Sequence, residues 1–79
     1  MAVIREFDCV KTLIPVSGRS LNGKPISFPA GELATVIDVY DTRGYELEFY
    51  WDNPDGSSDA FLVSILPEQI IPCQLPEVS

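Results

Sequence analysis

Tyr45-Glu46-Leu47-Glu48-Phe49-Tyr50-Trp51 is the stretch on which the fold turns. Tyr45, Leu47, Phe49 and Trp51 fall on one side of an extended chain, and Glu46, Glu48 and Tyr50 on the other. Alternation with a period of two predicts a strand with one face buried and one wet. The run ends at Asp52-Asn53-Pro54-Asp55-Gly56. Pro54 presets φ for the second position of a turn, Asp55 suits the third and Gly56 accepts a positive φ. A strand from Ala60 to Leu66 is expected to return antiparallel from that turn.

Upstream, Gly31-Glu-Leu-Ala-Thr-Val-Ile-Asp-Val-Tyr40 is rich in β-branched residues and predicts another strand. Val36, Ile37 and Val39 cannot all face one side, so either both faces are partly covered or a bulge shifts the register. Thr42-Arg43-Gly44 turns the chain into the Tyr45 strand. A first strand is expected from about Phe7 to Ile14, and a last one around Ile70 to Cys73 after a short Pro67-Glu68-Gln69 3₁₀ turn. Gln74 to Ser79 reads as a frayed tail.

Between Ile14 and Gly31 the three prolines Pro15, Pro25 and Pro29 and two glycines exclude a helix, which predicts a long loop. Either Leu21, Ile26 and Phe28 tuck under the barrel mouth as a lid, or the loop exposes Arg19, Leu21, Lys24 and Phe28 for recognition. Five short strands, a long first loop, a tight hairpin and a single 3₁₀ turn describe an all-β, five-stranded SH3-like barrel, one domain from 1 to 79 with its core at about 7–73.

Composition sets limits on function. The 79 residues are 46% hydrophobic and 22% charged, which excludes a disordered chain and leaves room for one thin-cored domain. Four Phe, three Tyr and one Trp are available for that core. No apolar run approaches the ~18 residues of a membrane span, and no cationic, apolar leader opens the sequence, so a cytoplasmic protein is expected. Histidine is absent, which removes the commonest general base and every Ser-His or Cys-His pair. Gly18, Gly23 and Gly31 are spaced as turns and not as a phosphate-binding loop. Setting Gly56 at the glycine of a calcium loop would place Trp51 and Leu62 where carboxylates are needed. Cys9 and Cys73 cannot complete a zinc shell; they read as buried thiols, although a barrel that brings its end strands together would allow a disulfide. A non-enzymatic protein without cofactor or metal is the expectation.

Twelve acids against five bases give a net charge of −7, which repels nucleic acid and anionic membrane. The acids are gathered: Asp38, Asp41, Glu46, Glu48, Asp52, Asp55 and Asp59 are interrupted by a single base, Arg43. This is either a solvated sheet face that maintains solubility or a docking surface for a basic protein. As a docking surface it comprises those seven acids with Tyr50, and Arg19 and Lys24 on the long loop are the remaining candidate contacts.

Ala30-Gly31-Glu32-Leu33-Ala34-Thr35-Val36-Ile37-Asp38-Val39-Tyr40 resembles the phrase K-G-D-x-G-T-V-V-E-V-Y. With Tyr45-Glu46-Leu47-Glu48-Phe49 for Y-E-V-E-F and Asp55-Gly56 for a following D-G, the chain is similar to a family of short bacterial proteins known only as a domain of unknown function. The family opening y-D-V-V-x-L matches Phe7 to Leu13 loosely, so the resemblance covers roughly Phe7 to Ile71. Ala34 stands where the family has a second glycine, and the segment from Pro15 to Pro29 is longer than the family's connection. The resemblance implies an SH3-like barrel. Members of such families often sit beside toxin-like genes, so the resemblance implies an antitoxin or immunity role, and a similar barrel serves as a docking subunit of photosynthetic dehydrogenase complexes. RNA-binding barrels of this kind are basic where this chain is acidic. The expectation is an inhibitor that meets a basic protein through its acidic face, with a docking subunit as the alternative and an RNA-binding barrel as a distant one.

Overall fold

The computed structural model describes residues 4–40 and 44–73. These form seven strands and one 3₁₀ turn: β1 (Cys9–Thr12), β2 (Val16–Arg19), β3 (Pro25–Phe28), β4 (Leu33–Tyr40), β5 (Gly44–Asp52), β6 (Ser58–Ile65), the turn Pro67–Gln69 and β7 (Ile70–Pro72). Five strands make one antiparallel sheet in the order β6-β5-β4-β1-β7, and β2 pairs with β3 in a second. The fold is all-β. A small all-β domain is consistent with the expected SH3-like barrel, but there are seven strands where five were expected, and among the described residues the ladder stays open and does not close into a ring.

The deciding stretch forms β5, as its alternation predicts. Leu47 is fully buried and Phe49 nearly so, while Tyr50 on the opposite face is exposed. The return strand pairs Tyr45 with Ile65 and Phe49 with Phe61. In the turn between them the Gly56 amide donates to the Asn53 carbonyl at 3.0 Å, and Gly56 takes φ 90°. On the other side of β5, Val36 pairs with Leu47, and the next pair is Asp38 with Glu46. Ile37 is therefore the extra residue of a β-bulge, which settles the two readings of the imperfect alternation in β4. Val36 stays in the core, and Val39 and Tyr40 emerge at the surface.

Two expectations are corrected. The segment from Ile14 to Gly31 is not a loop: β2 and β3 form a hairpin in register Val16↔Phe28 to Arg19↔Pro25. Gly18 lies inside β2, where a Cβ would stand 2.8 Å from the Phe61 ring, so its lack of a side chain lets the hairpin press onto the main sheet. Phe28 stacks on Phe49 with ring centroids 4.5 Å apart and meets Trp51 edge-on at 5.9 Å. Ile26 and Phe28 thus act as the lid, whereas Leu21 is 65% exposed. The first strand is also shorter than expected. Phe7 takes φ 71°, outside strand geometry, and lies exposed instead of joining the core.

Among the described residues β7 pairs with β1 alone, at the edge of the sheet. Pro72 faces Val10, and the amide bonds from Leu13 to the Gln69 carbonyl and from Cys73 to the Cys9 carbonyl fall at odd steps on either side. Pro72 therefore occupies a non-hydrogen-bonded position and costs the ladder nothing. The turn at Asp41 to Arg43 and the tail from Gln74 to Ser79 lie outside the described residues.

Candidate functional site

Because side chains alternate along a strand, Glu46, Glu48, Tyr50 and Asp52 all project from the outer face of β5, the face away from Leu47 and Phe49. At about 3.3 Å per residue they form a stripe roughly 20 Å long. The bulge at Ile37 returns Asp38 to the same face, directly opposite Glu46. Without that extra residue Asp38 would point into the core, so the bulge assembles the acidic pair. Like charges directly opposite one another across two strands are unfavourable for the fold itself. The Tyr40 hydroxyl donates to Glu46 Oε1 at 3.2 Å, and the Tyr50 hydroxyl to Asp52 Oδ1 at 3.3 Å. Glu46 and Glu48 are half-buried rather than freely solvated.

Tyr50 is 62% exposed and stands as a ridge between two hollows. β4 pairs with β5 only from Thr35 onward, so the two strands part beside Phe49. In that gap lies an open groove of about 420 Å³, lined by Phe28, Glu32, Leu33, Tyr50 and Trp51 among others. A smaller hollow of about 220 Å³ lies between Tyr50 and the tip of the β2–β3 hairpin, with Leu21, Asn22, Glu48 and Ser58 in its walls.

The remaining members of the acidic run are placed differently. Asp55 belongs to the β5–β6 turn, where its Oδ1 accepts from the Ser57 hydroxyl at 2.6 Å and the Ser57 amide at 2.9 Å. Those two bonds hold its carboxyl below the ordinary aspartate value. Asp59 is only 5% exposed, so it does not belong to the outer face. It pairs with Trp51 on the inner side, and its Oδ1 accepts from the Ala60 amide at 2.8 Å and the Asn22 amide at 3.2 Å, which pins the hairpin tip to β6. Among the described residues its Oδ2 makes no direct hydrogen bond of good geometry. Burial pushes the Asp59 carboxyl up, but the neighbouring Ser20 hydroxyl, the two amides and the Lys24 charge outweigh it, and the net displacement is downward. Asp41 lies outside the described residues. Arg19 and Lys24 flank the hairpin tip, where the Arg19 guanidinium donates to the Gly23 carbonyl at 3.0 Å.

The structure therefore brings together Asp38, Glu46, Glu48, Tyr50 and Asp52 and separates them from Asp55, Arg19 and Lys24, whereas Asp59 borders the smaller hollow beside Glu48 and Tyr50 with its carboxylate buried. Leu21, which the sequence offers as an exposed residue of the long connection, flanks Tyr50 as expected; Glu32 and Leu33 also flank it and were not among the sequence candidates, the exposed apolar Leu33 on an otherwise polar segment being the available signal. Among the described residues no three Cys, Asp or Glu side chains converge as a metal-binding set, and no helix is long and apolar enough to cross a membrane. Compared with protein-family models, curated proteins and solved structures, the chain matches none of them.

Proposed function

We propose that this chain is a non-catalytic protein-binding module, an inhibitor of the antitoxin or immunity type, that receives a basic protein partner on the outer face of β4 and β5. The observation that carries this reading is the opposed pair Asp38 and Glu46, continued by Glu48, Tyr50 and Asp52 along one strand. The pair is unfavourable while it faces water alone, and a lysine or arginine set between the two carboxylates relieves the repulsion. Tyr50 supplies the aromatic anchor typical of an interface centre. A nuclease-type partner, cationic because it grips phosphates, would be attracted by the chain's net charge of −7 and steered onto this acidic face, where its active site would be occluded.

The test is calorimetric titration with the purified product of the neighbouring gene at about 50 and 500 mM salt. A complex that is tight at low salt and weakens steeply at high salt supports the reading, because exposed charge pairs are screened. No heat at low salt, or a neighbour without a basic surface, counts against it. The exposed Leu21 and Leu33 beside Tyr50 favour a second reading, a docking subunit held by apolar contacts within a larger assembly. That reading predicts elution of the endogenous chain with a large complex that survives high salt.

A further inference from the structure

Cys9 and Cys73 stand near opposite ends of the chain, yet the fold places them face to face. The β1–β7 register runs Thr12↔Ile70, Lys11↔Ile71, Val10↔Pro72. One further step sets Cys9 opposite Cys73, and the Cys73 amide donates to the Cys9 carbonyl at 2.9 Å. Hydrogen-bonded antiparallel partners have Cα atoms about 5.5 Å apart, inside the window of roughly 4.4–6.8 Å that a disulfide requires. Both residues lie two positions from the paired Lys11 and Ile71, so both side chains leave the same outer face of the sheet. Both are thiols and both are half-buried, which leaves them open to a small reagent.

We infer that Cys9 and Cys73 are a paired-thiol modification site that takes a low-molecular-weight disulfide of the glutathione class and closes into a reversible clasp between β1 and β7. One protein thiolate attacks a sulfur of the small disulfide, forming a mixed disulfide and expelling one small thiolate. The second protein thiolate then attacks the protein sulfur of that mixed disulfide and expels the other. Two protein thiols are oxidised to one disulfide, one small disulfide is reduced to two thiols, and the two protons pass from the protein to the leaving groups. Either order of attack requires Cys9 to lose its proton. Burial, and then the adjacent Cys73 thiol, push the Cys9 thiol above its ordinary value near 9.0, so closure is slow at neutral pH and accelerates as pH rises.

The clasp acts at an edge of the sheet. β7 has three residues and, among the described residues, one neighbouring strand, and the covalent bond would tie it to β1 while enclosing most of the 79-residue chain in one loop. Constraining so long a loop in the unfolded state is expected to raise the melting temperature by roughly 10 °C or more.

The purified full chain is incubated with oxidised glutathione across pH 7 to 9, then followed by intact mass, thiol titration and thermal melting. The expected result is loss of both thiols with loss of only two hydrogens in mass, faster at higher pH, a higher melting temperature and full reversal by dithiothreitol. Cys9→Ser and Cys73→Ser chains should each gain at most one glutathione and show no such rise. Glutathione adducts that persist on both cysteines of the parent chain, covalent dimers in place of the closed monomer, or closure without thermal stabilisation would overturn the inference.

Discussion

Gly44 shows how tightly one residue can be specified. It sits at φ 144° at the start of β5, and a Cβ there would stand 2.3 Å from the Ile65 carbonyl oxygen. Gly44→Ala is expected to cost at least about 1–3 kcal/mol, read as a lower urea midpoint with unchanged slope. Thr12 behaves in the opposite sense. It is fully buried in β1, and among the described residues its Oγ1 has no hydrogen-bond partner. Replacing a buried, unsatisfied hydroxyl with a methyl removes a desolvation cost, so Thr12→Val should stabilise by about 1 kcal/mol in the same denaturation series. Asp59 sets the behaviour in acid. Its folded-state carboxyl is displaced below the ordinary value of 3.8, so the stability it supplies is complete above that pH and is lost as pH falls through the lower folded value. The urea midpoint should be flat from pH 7 to about 5 and decline below about 4, and Asp59→Asn should shrink that decline. An undiminished decline in the variant would assign it to other carboxylates, of which Asp55 is the first to examine.

Elements differ in how plainly the sequence announces them. β5 was legible because large apolar residues alternate along it, and β6 because the turn from Asn53 to Gly56 has the residue that each position needs and leads into an apolar run. The bulge in β4 was legible as a conflict, three β-branched residues that one face could not hold. The β2–β3 hairpin was not. Its prolines and glycines read as punctuation, and only Ile26 and Phe28 hint at alternation, because the hairpin rests on the main sheet through few side chains. Gly18 read as a turn residue, yet it lies inside β2; what it provides is room for Phe61, a contact 43 residues away in sequence. This division predicts unequal responses. Phe49→Ala should cost about 3–5 kcal/mol, of the order of the whole domain's stability, and the chain should melt below or near room temperature. Phe28→Ala removes the stack that holds the hairpin, so the Leu21 amide, bonded to the Ala60 carbonyl at 2.8 Å, should lose hydrogen-exchange protection well before the amides of β5.

At the scale of the whole molecule, charge was legible and its placement was not. A net charge of −7 and a run of acids are visible in the sequence, but a run in sequence is not a patch in space. Alternation and the bulge gather Asp38, Glu46, Glu48 and Asp52 around Tyr50 on one face, while the β5–β6 turn takes Asp55 and the inner side takes Asp59. Asp59 was hidden because a polar residue reads as surface, and nothing nearby in sequence announces that Asn22 and Ser20 will reach it. The central claim is that the face, and not the overall charge, binds the partner. It is tested most directly by comparing two charge reversals of equal size against the basic product of the neighbouring gene. Glu46→Lys with Glu48→Lys inverts the stripe, whereas Glu6→Lys with Glu68→Lys alters exposed residues that lie on neither β4 nor β5. The prediction is that the stripe variant loses at least about 100-fold in affinity while its stability stays within about 0.5 kcal/mol, and that the control variant keeps its affinity to within a few-fold. Wild-type affinity in the stripe variant, or equal losses in both, would contradict it.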